Sequence, residues 1–284
     1  MKEQNRSPPS KPDGTLGAGP GLPQAWRLKA IGAFPLPLFI CMVAVFNLLL
    51  PTPSKLSKSL VFDSPLLFIG LQAVFLTLTS SLVGYISLKS YLQTGSTTLI
   101  LMGSGALAWG TGSFISGFFP TQPNVGISIS NTGALVASLF HLTSAIIALG
   151  SISARARPRL RKPFLVIAYT GVLGFSGIFA MMSASGMVPP FFVPGVGQTL
   201  LRMAVLGSAS GLMAASSIIF ARLYLSSRSS TLYWYFLALG LTAAGLGAVF
   251  FGRAPGDPIS WTGRTAMFLG GVYFVKAVMS SFRH

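Results

Sequence analysis

Residues 132–162 read TGALVASLFHLTSAIIALGSISARARPRLRK. No charge interrupts the stretch from Thr132 to Ala154, and then Arg155, Arg157, Arg159, Arg161 and Lys162 crowd together. A bilayer core about 30 Å thick takes roughly 20 apolar residues in a helix rising about 1.5 Å per residue. Thr132–Ser153 is long enough to cross it. The basic cluster behind the run resists translocation and belongs on the cytoplasmic side. Runs of similar length flank it at Ile31–Leu50, Pro65–Leu88, Thr97–Phe119, Phe164–Met187, Thr199–Tyr224, Thr231–Gly252 and Ser260–Phe282. None alternates polar and apolar residues as a barrel strand does, and backbone groups in lipid have to be satisfied within their own segment. The pattern predicts an all-α polytopic transmembrane helix bundle of about eight spans.

Composition points the same way. Of 284 residues 51% are hydrophobic and only 8% charged, where a soluble domain carries about 25% charged residues. Lys and Arg number 20 against 4 Asp and Glu, a formal charge of +16. That charge sits in short clusters between apolar runs rather than on one face, so it reads as a topology signal and a contact for anionic lipid heads, not as a nucleic-acid surface. Counted by side, 15 basic residues fall with the N-terminal tail and the 155–162 cluster and 5 fall opposite. The bias places both termini in the cytoplasm of a multi-pass cell-membrane protein. The last run, which holds Arg264 and Lys276, decides whether the span number is even.

Residues 1–24, MKEQNRSPPSKPDGTLGAGPGLPQ, are rich in Pro, Gly, Ser and charge and are expected to be a disordered cytoplasmic tail. Residues 25–284 then form a single transmembrane helical domain. Ile31–Leu50 exceeds the 7–15 residues or so of a signal-peptide core and is expected to stay as an anchor. The lone Cys41 excludes an intrachain disulfide and a Cys-based metal cluster. Glycine spacing predicts helix seams, because small residues let backbones approach in lipid. Gly103, Gly110 and Gly117 recur every seven residues, Gly171, Gly174 and Gly177 every three, and Gly207 and Gly211 make a GxxxG.

Missing chemistry narrows the function. The four acids are Glu3, Asp13, Asp63 and Asp257, all in the tail or in loops. Proton relays and many cation-coupled transporters place carboxylates inside the membrane, so a carboxylate-driven pump is disfavoured. Lys276 lies on the last run, where retinal proteins form a Schiff base, but a buried iminium needs a counter-ion carboxylate. Snorkelling to the head groups accounts for it better. His141 is the single histidine within a span, which excludes a bis-histidine haem and a His-rich metal site. Ser104, Ser113 and Ser116 near glycines are a poor basis for an intramembrane Ser–His protease, since serines are common at helix interfaces. No cofactor, no metal and no enzymatic activity are expected.

Polar residues gather at one end of the runs. The third loop reads PTQPNVGISISNTG and brings Asn124 and Asn131; His141 follows ten residues after Asn131. The fifth reads PPFFVPGVGQTLLR and brings Arg202. The seventh reads GRAPGDPISWTGR and brings Asp257, Trp261 and Arg264. Each has a packing role open to it: Asn131 as the cap of the fourth helix, His141 on a backbone carbonyl, the arginines snorkelling, Asp257 paired with one of them, Trp261 in the aromatic belt. Together they also make a cationic, aromatic-lined outer pocket for an anionic or strongly polar small ligand, with helix N-termini adding positive potential.

The stretches NVGISISNTGALVASLFHL (124–142), VPPFFVPGVGQTLLRMAVLG (188–207) and GDPISWTGRTAMFLGGVYFVKAV (256–278) carry a resemblance. They resemble the multi-span membrane sensor region, similar in kind to the MASE domains, at the N-terminus of some prokaryotic histidine kinases. The resemblance spans roughly residues 70–280. It implies a sensor whose last helix leads into kinase modules, yet phosphoacceptor and ATP-binding motifs are absent from this sequence. The expectation is therefore a non-enzymatic sensory or ligand-binding membrane module that signals through a partner such as a histidine kinase. A small permease or channel-like transporter is the alternative, and a ligand-free structural or assembly factor is a third reading.

Overall fold

The computed structural model describes residues 29–50, 62, 64–150, 156–193, 197–253 and 256–281; the expected tail, 1–24, lies outside them. The chain divides into a unit Met1–Phe34, of which residues 29–34 are described, and a unit Pro35–His284. The second unit is a helix bundle. Its helices are α1 (Pro35–Leu49), α2, α3 (Thr97–Ser116), α4 (Pro123–Leu149), α5 (Pro158–Ala184), α6 (Leu200–Ser227), α7 (Ser230–Phe251) and α8 (Pro258–Ser281). The second helix, α2, runs through Pro65–Gln72, a π-helical turn at Ala73–Leu78, and Thr79–Thr94. A two-stranded ribbon, β1 (Phe192–Val193) with β2 (Gly197–Gln198), precedes α6.

Among the described residues seven helices, counted with residues from Lys29 onward in the first, are long and apolar enough to cross a membrane. Large apolar side chains such as Leu66, Ile167, Met181 and Leu200 stand exposed on their outer faces. In water such faces would be costly; here they contact the lipid bilayer, and the chain is a multi-pass membrane protein. α8 falls outside the seven. It carries Arg264 and Lys276 and lies packed along α7, with further contacts to α1 and α2, so protein takes the place of much of its lipid contact.

Several starts are written in the sequence. Pro35, Pro65, Pro123, Pro158 and Pro258 each open a helix, where a missing N–H costs nothing and the fixed φ fits. Thr199 caps α6 by accepting a hydrogen bond from Arg202 N at 3.3 Å. One boundary differs from expectation. The fourth helix begins at Pro123 instead of Thr132, because NVGISIS packs against the end of α3: a Cβ on Gly126 would lie 3.2 Å from Ser116 O. Asn131 therefore sits within α4 and does not cap it.

The glycine seams divide. On α3, a Cβ at Gly103 would crowd Tyr169 Oη and Ser87 Cβ, and one at Gly110 would come within 2.5 Å of Ser80 Cβ. On α5 nothing lies within 4 Å of that position at Gly171, Gly174 or Gly177. The expected α5 seam therefore meets no other helix among the described residues, because most of α5 faces outward. On α6, a Cβ on Gly207 would meet the Phe250 ring at 3.5 Å, while one on Gly211 would meet nothing within 4 Å among the described residues. A reciprocal seam joins α7 to α8: a Cβ on Gly245 would sit 2.6 Å from Gly263 O, and one on Gly263 would sit 2.6 Å from Gly245 O.

Candidate functional site

One end of the bundle, here the Asp257 end, carries the loops that lead into α2, α4, α6 and α8. Hydrogen bonds tie these loops to one another. Asn124 Oδ1 accepts from Phe191 N (2.8 Å) and Phe192 N (3.0 Å), fastening the α5–α6 loop to the start of α4. Gln198 Nε2 donates to Gly252 O at 2.8 Å, linking β2 to the α7–α8 loop. Trp261 Nε1 donates to Phe62 O at 2.8 Å, and Phe62 N donates to Gly256 O at 2.9 Å, linking that loop to the α1–α2 connection.

Asp257 is fully buried: Oδ1 accepts from Ser260 N and Oδ2 from Arg253 N, both at 2.6 Å. The first bond is an N-cap of α8, the favoured use of Asp just ahead of a helix. Arg253 in turn donates to Leu50 O and to Asn47 O (2.8 Å) at the C-terminus of α1. There the unpaired carbonyls and the negative end of the helix dipole favour a cation.

Arg202, in the first turn of α6, and Arg264, in the second turn of α8, both belong to this end of the bundle. Arg264 lies 4.0 Å over the Phe68 ring and 5.2 Å from the Trp261 ring, a cation–π arrangement. Arg202 is half-buried on the third residue of α6, and its Nε is buried with no hydrogen-bond partner among the described residues. One guanidinium over aromatic faces and a second with an unpartnered Nε suit an anionic or strongly polar group, which would take up the free donor of Arg202.

His141 and Asn131 are elsewhere. His141 lies eighteen residues after Pro123, about 27 Å along the helix axis at about 1.5 Å per residue. It is 1% exposed, with Nδ1 2.7 Å from Tyr235 Oη and its ring stacked on Phe274 at 5.4 Å. Its Nε2 has no partner among the described residues; nor has Asn131 Nδ2, also buried within α4. The expected pocket thus splits into the arginine pair with Trp261 at one end and His141 in the interior. Asn124 and Asp257 are held as loop fasteners.

Several residues escaped the sequence reading. Gln198 and Arg253 were visible as loop polar residues without an assigned partner. Arg161 belonged to the basic cluster, yet Nη1 donates to Leu92 O (2.9 Å) and Gln93 O (2.8 Å), closing the C-terminus of α2. Lys276 lies over the Trp234 ring at 3.6 Å. Tyr235 gave no sequence signal, because its pairing with His141 joins residues 94 positions apart. Among the described residues no three of His, Cys, Asp or Glu gather as a metal-binding group. No protein-family model, curated protein or solved structure matches this chain.

Proposed function

We propose that the protein is a non-enzymatic sensory and ligand-binding module of the cell membrane, with both termini cytoplasmic, that signals through a partner such as a histidine kinase. The observation that supports this reading is the Arg202–Arg264 pair, with a buried unpartnered Nε on one arginine and aromatic faces on the other. The loops around it are fastened by Asn124, Gln198 and Asp257, so the pair stands on an ordered platform. An anionic or polar ligand bridging α6 and α8 would change how the two helices sit, and a partner would read that change.

Gentle purification followed by mass spectrometry of co-purifying molecules tests the reading. An anionic or polar molecule is expected, and its stabilisation of the protein against heat should fall in Arg202→Gln and Arg264→Gln. Unchanged stabilisation in both variants would sink it. Orientation is tested separately in a Cys41→Ser background: cysteines at Ser10 and Ser226 should resist an impermeant thiol reagent in intact cells, and one at Gln122 should react.

A small permease is the second reading. The π turn in α2 favours it, since interrupted helices line the substrate paths of many transporters. Gradient-driven uptake into proteoliposomes would establish it over the first.

A further inference from the structure

A cavity of about 10 Å³ lies where α2, α3, α4 and α8 meet, lined by His141, Thr79, Ser80, Ala106, Trp109 and Phe274 among others. That is about the room one water needs. His141 is 1% exposed, and its Nε2 is buried without a partner among the described residues. Gly105 lies against the same edge of the ring, where a Cβ would sit 2.9 Å from Nε2.

The protonation of the ring follows from its neighbour. Tyr235 is 0% exposed, and His141 Nδ1, 2.7 Å away, is the hydrogen-bond partner of its hydroxyl. If Nδ1 donated, the buried phenol proton and Nε2 would both be left unpaired. If the phenol donates to Nδ1, only the Nε2 proton is left. Because each orphaned buried polar group is costly, the second arrangement prevails, and the neutral ring presents Nε2–H.

We propose that this cavity is a binding site for one water molecule, which accepts from His141 Nε2–H and donates to the hydroxyl oxygens of Thr79 and Ser80. Thr79 is placed for this by the π turn just before it: its hydroxyl donates to Phe75 O, which leaves the oxygen lone pairs to accept. The water would then join α4 to the interrupted part of α2 inside the membrane, independently of any ligand at the arginine pair.

The test is proton-detected solid-state NMR on the full chain in lipid bilayers, isotope-labelled at histidine, in a His284→Gln background that leaves His141 as the one histidine. The expected result is a proton on Nε2, none on Nδ1, and a cross-peak from the Nε2 proton to a slowly exchanging water. Ala106→Val fills the cavity and should abolish that cross-peak while the Nδ1 signal from the Tyr235 bond stays. Val83→Ile, on another lining residue, serves if the first variant fails to fold. A missing water cross-peak in the unsubstituted cavity, an unprotonated Nε2, or a cross-peak that survives filling would each overturn the proposal.

Discussion

At the Asp257 end most polar side chains find backbone partners, Arg202 Nε and Gln198 Oε1 being exceptions among the described residues, whereas around His141 and along α3 several find none. Asn124, Gln198, Trp261, Arg253 and Asp257 each reach a main-chain group of another segment or of the loop they close. In the interior, Ser87, Ser104, Ser113, Asn131 Nδ2 and His141 Nε2 are buried without partners among the described residues. The difference teaches what polar residues do at each depth. Loops carry free N–H and C=O groups that need partners, and side chains supply them. Transmembrane helices satisfy their own backbone, so a polar side chain among them has to share a carbonyl of a helix, as Ser176 and Ser216 do, or find another side chain or water. Bonded polar residues report on architecture; orphaned ones, Arg202 at the end and His141 inside, mark where a further molecule fits.

The strongest way to break this contrast is at Asp257. Asp257→Ala removes two bonds from backbone N–H groups to a buried carboxylate, and a loss of about 3 kcal/mol is expected. Thermal unfolding in detergent reads it, and Asp257→Asn should lose less because it keeps an acceptor for Ser260 N. A change near zero would remove the fastening role from this end.

A smaller effect separates the glycine-lined helices. Gly103→Leu drives a side chain into Ser87 and Tyr169 and should cost about 2 kcal/mol by overpacking. Gly174→Leu, with nothing within 4 Å, should stay within about 0.5 kcal/mol. Equal effects on the apparent melting temperature would mean that α5 is covered in the bilayer by another chain.

Arg161→Gln tests whether the opposite end is fastened as the Asp257 end is. It loses the bonds to the α2 carbonyls, and about 1 kcal/mol is expected at this partly solvated site. Hydrogen exchange at the last turn of α2 should rise with it.

The smallest shift sharpens the interior half of the comparison. Replacing His141 and Tyr235 together by Phe removes both members of the pair, and stability should hold within about 1 kcal/mol, because no partner is left unpaired. His141→Phe alone orphans the Tyr235 hydroxyl and should cost more than the double change.

The sequence by itself determined the class of the protein and most of its segmentation. Apolar runs of membrane-spanning length and the lack of acids within them are local properties, and each of the expected runs overlaps a helix of the bundle. Polar loop residues were legible as a group for the same reason. What each one touches was decided by tertiary structure. A cap was one role open to Asn131, but close backbone approach of Gly126 and Ile129 to α3 continues the helix upstream to Pro123. The glycine repeats looked alike on α3 and α5, since spacing shows which face is smooth and not whether a helix or lipid lies against it. His141 was grouped with Arg202 and Arg264 by loop proximity in sequence, and only the length of α4 moved it into the interior to meet Tyr235. Helical periodicity is set within one chain segment, while a pairing such as His141–Tyr235 depends on how whole helices dock, and close packing between segments fixes that.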